Sequence, residues 1–316
     1  MAEFDLIERI RRRAAQARDD VVLGIGDDAA VLRVPPGRLL VVATDTLNAG
    51  VHFPEGTAPA DIGWKSLAVN LSDLAAMGAT PAWCTLSLSL PEGDAGWVEG
   101  FLDGFLELAA SLRMALVGGD TTRGPLSICA TVHGLVGEGA ALRRDGARVG
   151  DDVWVSGTLG DAAGALSLGQ RCPDALRNRL DRPEPRIALG LALAGVATSA
   201  IDVSDGLLAD LGHVCTASGV GARIDLDLLP ASAALRDAFD AAARRGLQAA
   251  GGDDYELCFT AAAAQRQAVA EAARDSGTPL TRIGSIVAGA EVQALDADDR
   301  PWQPPRTGYA HFDTAD

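Results

Sequence analysis

Acidic side chains are the groups in this chain best placed to do chemistry. Asp27 and Asp28 follow Gly24-Ile25-Gly26 at the end of an apolar run. Thr44-Asp45-Thr46 ends the run 39–43, and Gly118-Gly119-Asp120-Thr121-Thr122 ends 115–117. Asp202-Val203-Ser204-Asp205-Gly206 joins a predicted strand to a predicted helix, and Gly251-Gly252-Asp253-Asp254-Tyr255-Glu256 precedes a strand. One such aspartate is ordinarily a helix cap or an Asx-turn. A series of them at strand ends is different, because strand ends are where α/β sheets place ligands, and converging carboxylates repel unless cations lie between them. Oxygen ligands from Asp and Thr suit Mg²⁺ or Mn²⁺, whereas zinc would want the His or Cys these turns lack.

A helix adds to the set. In 61–78, Ser66, Asn70 and Asp73 fall four and three residues apart and share a face, while Leu67, Leu71 and Leu74 form an adjacent apolar one. Ala and Leu dominate the remainder, so the helix is expected to be buried on most sides, and Asn70 and Asp73 then need partners.

The elements that must hold these residues alternate. Strands are expected at 39–44, 84–90, 115–117, 127–136, 152–155, 200–203, 222–229, 256–260 and 282–287. Helices are expected at 61–77, 95–112, 186–197, 207–218, 231–245 and 262–275. That alternation predicts α/β layers. The glycine-rich stretch 137–150 is the least patterned, and a boundary near residue 140 divides the chain into domains 1–140 and 141–316.

Composition narrows the function. The 316 residues carry 27 Lys and Arg against 43 Asp and Glu, a net charge of −16, with Lys65 the only lysine. Such a chain is a poor partner for nucleic acid, whose phosphates reward basic surfaces. No apolar run is long enough to span a bilayer. Residues 1–13 are charged and amphipathic without the apolar core of an export signal, so a cytoplasmic enzyme with no membrane contact is expected. The cysteines (Cys84, Cys129, Cys172, Cys215 and Cys258) show no C-x-x-C spacing, and all but Cys172 sit in apolar stretches, as expected of thiols in a reducing compartment.

Several motifs fail. Gly24-Ile25-Gly26-Asp27-Asp28-Ala29 mimics a dinucleotide fingerprint, but Pro35-Pro36-Gly37 interrupts the crossover helix and Asp27-Asp28 would meet the pyrophosphate. Lys65 lacks the glycine pattern of a Walker loop. His52, His133, His213 and His311 are scattered, so no nucleophilic triad is read. A phosphate-handling reading survives, since Mg²⁺ held by carboxylates can neutralise a nucleotide without a P-loop lysine. Gly157-Thr158-Leu159-Gly160-Asp161 could present N–H groups to a phosphate, and Arg123, Arg143 and Arg144 could reach phosphate oxygens.

Taken together, the 24–30, 44–47, 65–78, 118–125, 201–207 and 251–257 blocks, in order and spacing, resemble the thiamine-monophosphate kinase family, a branch of the aminoimidazole ribonucleotide synthetase-like superfamily. The resemblance implies an α/β fold of two domains, the N-terminal one pairing with its mate through β-strands in a homodimer. It also implies ATP- and Mg²⁺-dependent phosphorylation of thiamine monophosphate to thiamine diphosphate. Asp28, Thr44, Asp45, Asp73, Asp120, Asp202 and Asp205 resemble the family's Mg²⁺ ligands, several ions in all. Gly119, Asp120, Arg144 and Ser204 look like nucleotide-site residues, and His52, Asp253 and Tyr309 match positions that contact the thiamine phosphate. Ala43 stands where relatives often have Ser, and Asp253 where they often carry Glu. An acceptor that is already an ionised phosphate implies direct in-line transfer with no general base and no phosphoenzyme. Tyr309 or Trp302 could stack on the cationic thiazolium. The selenophosphate-synthetase branch of the superfamily would want a reactive Cys in 1–26, which is absent. The remaining rivals are an aminoimidazole ribonucleotide synthetase-like enzyme of the same superfamily and a non-catalytic nucleotide or metal sensor.

Overall fold

The computed structural model describes residues 3–14, 18–304 and 308–309, so His311 lies outside the described residues. The chain divides into two compact units, Met1–Leu74 with Ala79–Gly139, and Ala75–Gly78 with Ala140–Asp316.

In order, the first half of the chain forms α1 (Glu3–Arg13), β1 (Val21–Leu23), β2 (Val31–Leu32), β3 (Arg38–Asn48), α2 (Pro59–Ala76), β4 (Thr80–Leu90), α3 (Ala95–Ser111), β5 (Ala115–Arg123) and β6 (Ser127–Gly137). A four-stranded sheet runs β3-β6-β4-β5, antiparallel except for β4 and β5, which are parallel and joined through α3. Asp94 starts α3 by accepting the N–H groups of Gly96 and Trp97, and the helix buries Val98, Phe101, Leu102, Phe105 and Leu108. α2 is buried on most sides, as its composition predicts. Leu67, Leu71 and Leu74 are fully covered, and so are Ser66 and Asn70.

The second half forms β7 (Asp151–Ser156), α4 (Asp161–Leu168), α5 (Asp174–Asp181), α6 (Ile187–Leu193), β8 (Ser199–Val203), α7 (Leu207–Ser218), β9 (Gly221–Asp225), α8 (Ala233–Ala238), α9 (Ala241–Ala250), β10 (Glu256–Ala262), α10 (Arg266–Ser276), β11 (Leu280–Val287), β12 (Val292–Leu295) and β13 (Pro301–Trp302). Its seven-stranded sheet runs β13-β12-β9-β11-β7-β10-β8. Val153, Val155, Ile201, Val203, Leu207, Leu211, Ile224 and Ile283 belong to its core, where one face of the sheet meets α7.

Some boundaries differ from the sequence reading. β3 runs on to Asn48 and β5 to Arg123, because β6 and β4 offer ladder partners along their whole length. Asp45 and Asp120 therefore lie within strands, not at their ends. The helix expected over 231–245 is two helices, since Asp240 turns the chain and caps α9 by accepting the N–H of Ala243. β9 stops at Asp225, whose carboxylate closes a turn on the N–H of Asp227. α5 carried no helical expectation.

Candidate functional site

In the first unit the candidate residues sit on strands and on the helix beside them. β3 is an edge strand, so alternate N–H groups have no ladder partner. Asn70 on α2 supplies one: its Oδ1 accepts the N–H of Asp45 at 2.9 Å, while its amide donates to the carbonyl of Ser66 at 3.0 Å. The polar stripe read on this helix thus serves to fix the strand that carries Thr44 and Asp45. Thr44 is exposed on the opposite face, with its Oγ1 donating to Thr131 at 2.7 Å. Burial pushes the carboxyl of Asp45 above the ordinary range. Asp73, on the same helix, is half-buried. His52 accepts the N–H of Asn48 through Nδ1 at 3.0 Å, and the buried Lys65 donates to the His52 carbonyl at 2.9 Å.

Gly119 and Asp120 are exposed on β5 and line a small cleft with Gly118, Thr121, Leu86 and Ile10. Gly119 has φ 152°, and a Cβ there would lie 1.8 Å from the carbonyl oxygen of Leu86, so only glycine fits. Asp28 is exposed on the turn after β1.

In the second unit the candidates are tied into one block. Asp202 is buried at the end of β8, and Ser204 and Asp205 are half-buried on the loop into α7. The carbonyl of Val203 accepts the N–H of Tyr255 at 2.8 Å, that of Ser204 accepts Asp253 at 2.8 Å, and that of Asp205 accepts Tyr309 at 3.0 Å. The three matched substrate and nucleotide positions Ser204, Asp253 and Tyr309 therefore meet on this loop. Asp253 and Tyr255 both hold left-handed backbone, with φ of 68° and 49°, a strain that functional segments commonly store. Tyr255 was not singled out by the sequence reading; its hydroxyl donates to Asp253 Oδ1 at 3.0 Å and sets that carboxylate's direction. Asp210 was missed too. Its Oδ2 accepts the N–H groups of Ser204, Asp205 and Gly206, and burial together with the Asp202 charge pushes its pKa up to about 7. Its signal in the sequence is the last acid of D-x-S-D-G-x-x-x-D, one turn into an otherwise apolar helix.

Other expectations fail. The turn 157–161 is no phosphate cradle: the N–H of Gly160 donates to Asp254 Oδ2 at 2.7 Å, and Leu159, Gly160 and Asp161 are buried. Asp254 is sealed in, and burial raises its pKa well above the ordinary carboxylate value. Glu256 points inward as well, bound by Arg179, Arg186 and Ser156. Arg143 pairs with Asp145 at the surface, whereas Arg144 is exposed beside it. Trp302 is partly buried and packs against the core of this unit, and Tyr309 is about half exposed.

The donor set is oxygen-only and fits a hard cation in kind. Among the described residues no three His, Cys, Asp or Glu side chains gather closely enough to hold a metal on their own.

The description "AIR synthase related protein, N-terminal domain" matches residues 26–136, and "AIR synthase related protein, C-terminal domain" matches 148–296. The thiamine-monophosphate kinase of Escherichia coli (strain K12) is 48% identical over 99% of this chain and 98% of its own. The chain belongs to the thiamine-monophosphate kinase family. The crystal structure of the family member from Stenotrophomonas maltophilia K279a is 56% identical, covers 96% of this chain and 98% of its own, and superposes with a TM-score of 0.88. The structure of AaThiL complexed with AMPPCP and TMP is 32% identical over 98% of this chain and 97% of its own, with a TM-score of 0.77. The hydrogenase maturation protein HypE, at 22% identity and a TM-score of 0.78, shares the fold.

Proposed function

We propose that this chain transfers the γ-phosphoryl group of ATP to thiamine monophosphate, giving thiamine diphosphate and ADP. The observation that carries the reading is the hydrogen-bonded block in which the loop bearing Asp202, Ser204 and Asp205 takes its carbonyl partners from Asp253, Tyr255 and Tyr309. Groups suited to a nucleotide, a cation and a substrate thereby share one rigid element. The 32% identity to a protein complexed with AMPPCP and TMP supports the same pair of ligands.

A terminal phosphate oxygen of thiamine monophosphate attacks Pγ as the bond from Pγ to the β–γ bridging oxygen breaks, and ADP leaves with the electron pair. The acceptor is already ionised at neutral pH, so no side chain need remove a proton, and no residue is required as a covalent carrier. When bound, Mg²⁺ would neutralise the repulsion between the two phosphates and the charge developing in transfer. Asp28, Thr44, Asp45, Asp73 and Asp120 in the first unit, and Asp202 and Asp205 in the second, are the groups that would hold the ions. Gly119, Asp120, Arg144 and Ser204 would line the nucleotide, with the Arg144 guanidinium free to reach a phosphate oxygen. Asp253, aimed by Tyr255, and His52 would bind the vitamin phosphate, and the Tyr309 ring would stack on its cationic thiazolium.

We further propose a cytoplasmic homodimer with the division of labour 1–140 for nucleotide, metal and pairing and 141–316 for the remainder of the site. Five free cysteines suit a reducing compartment. No helix among the described residues is long and apolar enough to cross a membrane. On the open edge strand β3, Leu40 and Val42 share one face and are 45% and 54% exposed, with Leu39 49% exposed on the other, aliphatic surface that a second copy would cover.

Purified protein mixed with ATP, MgCl₂ and thiamine monophosphate should give equimolar ADP and thiamine diphosphate by ³¹P NMR, and EDTA should abolish both. ADP formation that ignores the vitamin phosphate would overturn the reading, as would turnover indifferent to EDTA.

A further inference from the structure

Ser204, Asp205 and Gly206 lie between the end of β8 and the start of α7, so their N–H groups have neither strand nor helix partners and must be satisfied elsewhere. Three successive ones, from Ser204, Asp205 and Gly206, point at a single oxygen, Oδ2 of Asp210, at 3.0, 3.1 and 3.0 Å. Successive N–H groups turned to one point form a concave nest, which favours an anion at its focus. Here the acceptor at the focus is a carboxyl oxygen of the protein itself, on a side chain buried one turn into α7. On the outer side the carbonyls of Val203, Ser204 and Asp205 are taken by Tyr255, Asp253 and Tyr309. Gly206, at φ 130°, completes the turn, because a Cβ there would lie 2.9 Å from the Ala250 backbone. Every element of the loop's path is thus specified except the acceptor at its centre, and that is the role of Asp210.

We propose that Asp210 is a positioning residue for phosphoryl transfer: its buried carboxylate folds the Ser204–Gly206 backbone around itself and so aims Ser204 and Asp205 at their ligands. It touches no ligand itself. The inference rests on the function proposed above, yet it concerns the shape of the loop and can fail separately. An ordinary helix-start acid would stabilise α7 without governing what the preceding loop binds. The two roles therefore separate in measurements that do not depend on helix stability.

Three measurements test it. In the unaltered protein, hydrogen exchange should find the amides of Ser204, Asp205 and Gly206 protected although the first two residues are half-exposed. Unprotected amides there would overturn the proposal whatever any variant does. In Asp210→Asn, which keeps the volume, those three amides should exchange at least ~10-fold faster while β8 and β10 amides keep their rates, since a neutral amide replaces the charge-assisted acceptor. Mn²⁺ binding, followed by the EPR signal of the free ion, should weaken by roughly 10–100-fold in Asp210→Asn, the range typical of groups that orient metal ligands. In the same variant kcat should fall by a similar factor with KM for thiamine monophosphate changed less than about 3-fold, and Asp210→Glu should recover part of the loss. Faster exchange with unchanged Mn²⁺ affinity would reduce Asp210 to a helix cap and sink the proposal. Unaltered protein that folds and binds Mn²⁺ as described but does not turn over the vitamin phosphate would instead count against the function alone.

Discussion

The two units hold their candidate carboxylates in opposite ways. Asp45 and Asp120 ride on β-strands, where the pleat alone sends alternate side chains to alternate faces and the ladder supplies the rigidity. Asp202, Ser204 and Asp205 ride on a strand end and the loop after it, and a loop has no ladder. Its shape comes from Asp210 inside and from the Asp253, Tyr255 and Tyr309 amides outside. The difference explains why the second unit spends so many more buried polar groups around its site. It also separates acids that build from acids that face a ligand: Asp254 and Glu256 sit in the same short segment as Asp253 but turn inward.

The largest effect that can break this contrast lies at Glu256. Its fully buried carboxylate accepts from Arg179 at 2.6 Å, from Arg186 at 2.6 and 2.7 Å, and from Ser156. Glu256→Ala removes the buried anion that two partly buried guanidinium groups share, leaving Arg186 with Glu184 at 2.8 Å and Arg179 with Asp161 at 3.8 Å, and should cost about 3–5 kcal/mol, read as a fall in the urea midpoint at constant slope. A shift under about 1 kcal/mol would mean that the inward acids are not structural, and the division drawn here would fail.

Next comes Gly119→Ala in the first unit. The added methyl meets the Leu86 carbonyl of the neighbouring parallel strand, and the backbone leaves the range L residues favour. The strand must shift, at a cost of roughly 1–3 kcal/mol, and nucleotide affinity should fall with it because Asp120 moves too. Full retention of both melting temperature and ATP affinity would contradict the claim that the ladder positions Asp120.

Asn70→Ala is comparable in size and more local. It removes the acceptor of the Asp45 N–H, an unmet group worth roughly 1–3 kcal/mol when buried, and it frees the edge strand beside a candidate metal ligand. Stability should drop by that amount and Mn²⁺ affinity should drop as well. A loss of stability alone would confine Asn70 to the packing of α2.

These sites mark what the sequence made legible and what it did not. The acids, the polar stripe on α2 and the layered α/β plan could all be read, because residue type and period carry them directly. The ends of β3 and β5 could not, because strand length depends on how far a partner strand runs alongside, a non-local fact. Nor did spacing tell ligand-facing acids from inward ones. Asp253, Asp254 and Glu256 look alike in one dimension and part only when Arg179, Arg186 and the Gly160 amide arrive from elsewhere in the chain. The turn 157–161 misled for the same reason, since its vacant N–H was already claimed by Asp254.

The finest test separates aiming from binding. Tyr255 donates its hydroxyl to Asp253 Oδ1 across a backbone in which both residues are left-handed, so the carboxylate is steered by a phenol rather than by a ladder. Tyr255→Phe keeps the ring and deletes one hydrogen bond of about 1 kcal/mol, which corresponds to roughly a 5-fold change in an equilibrium. If Asp253 contacts the vitamin phosphate or its thiazole, KM for thiamine monophosphate should rise by about that factor while KM for ATP holds. Equal rises in both would place the phenol in the general support of the 202–206 loop. The loop, and not Asp253 alone, would then be what Tyr255 positions.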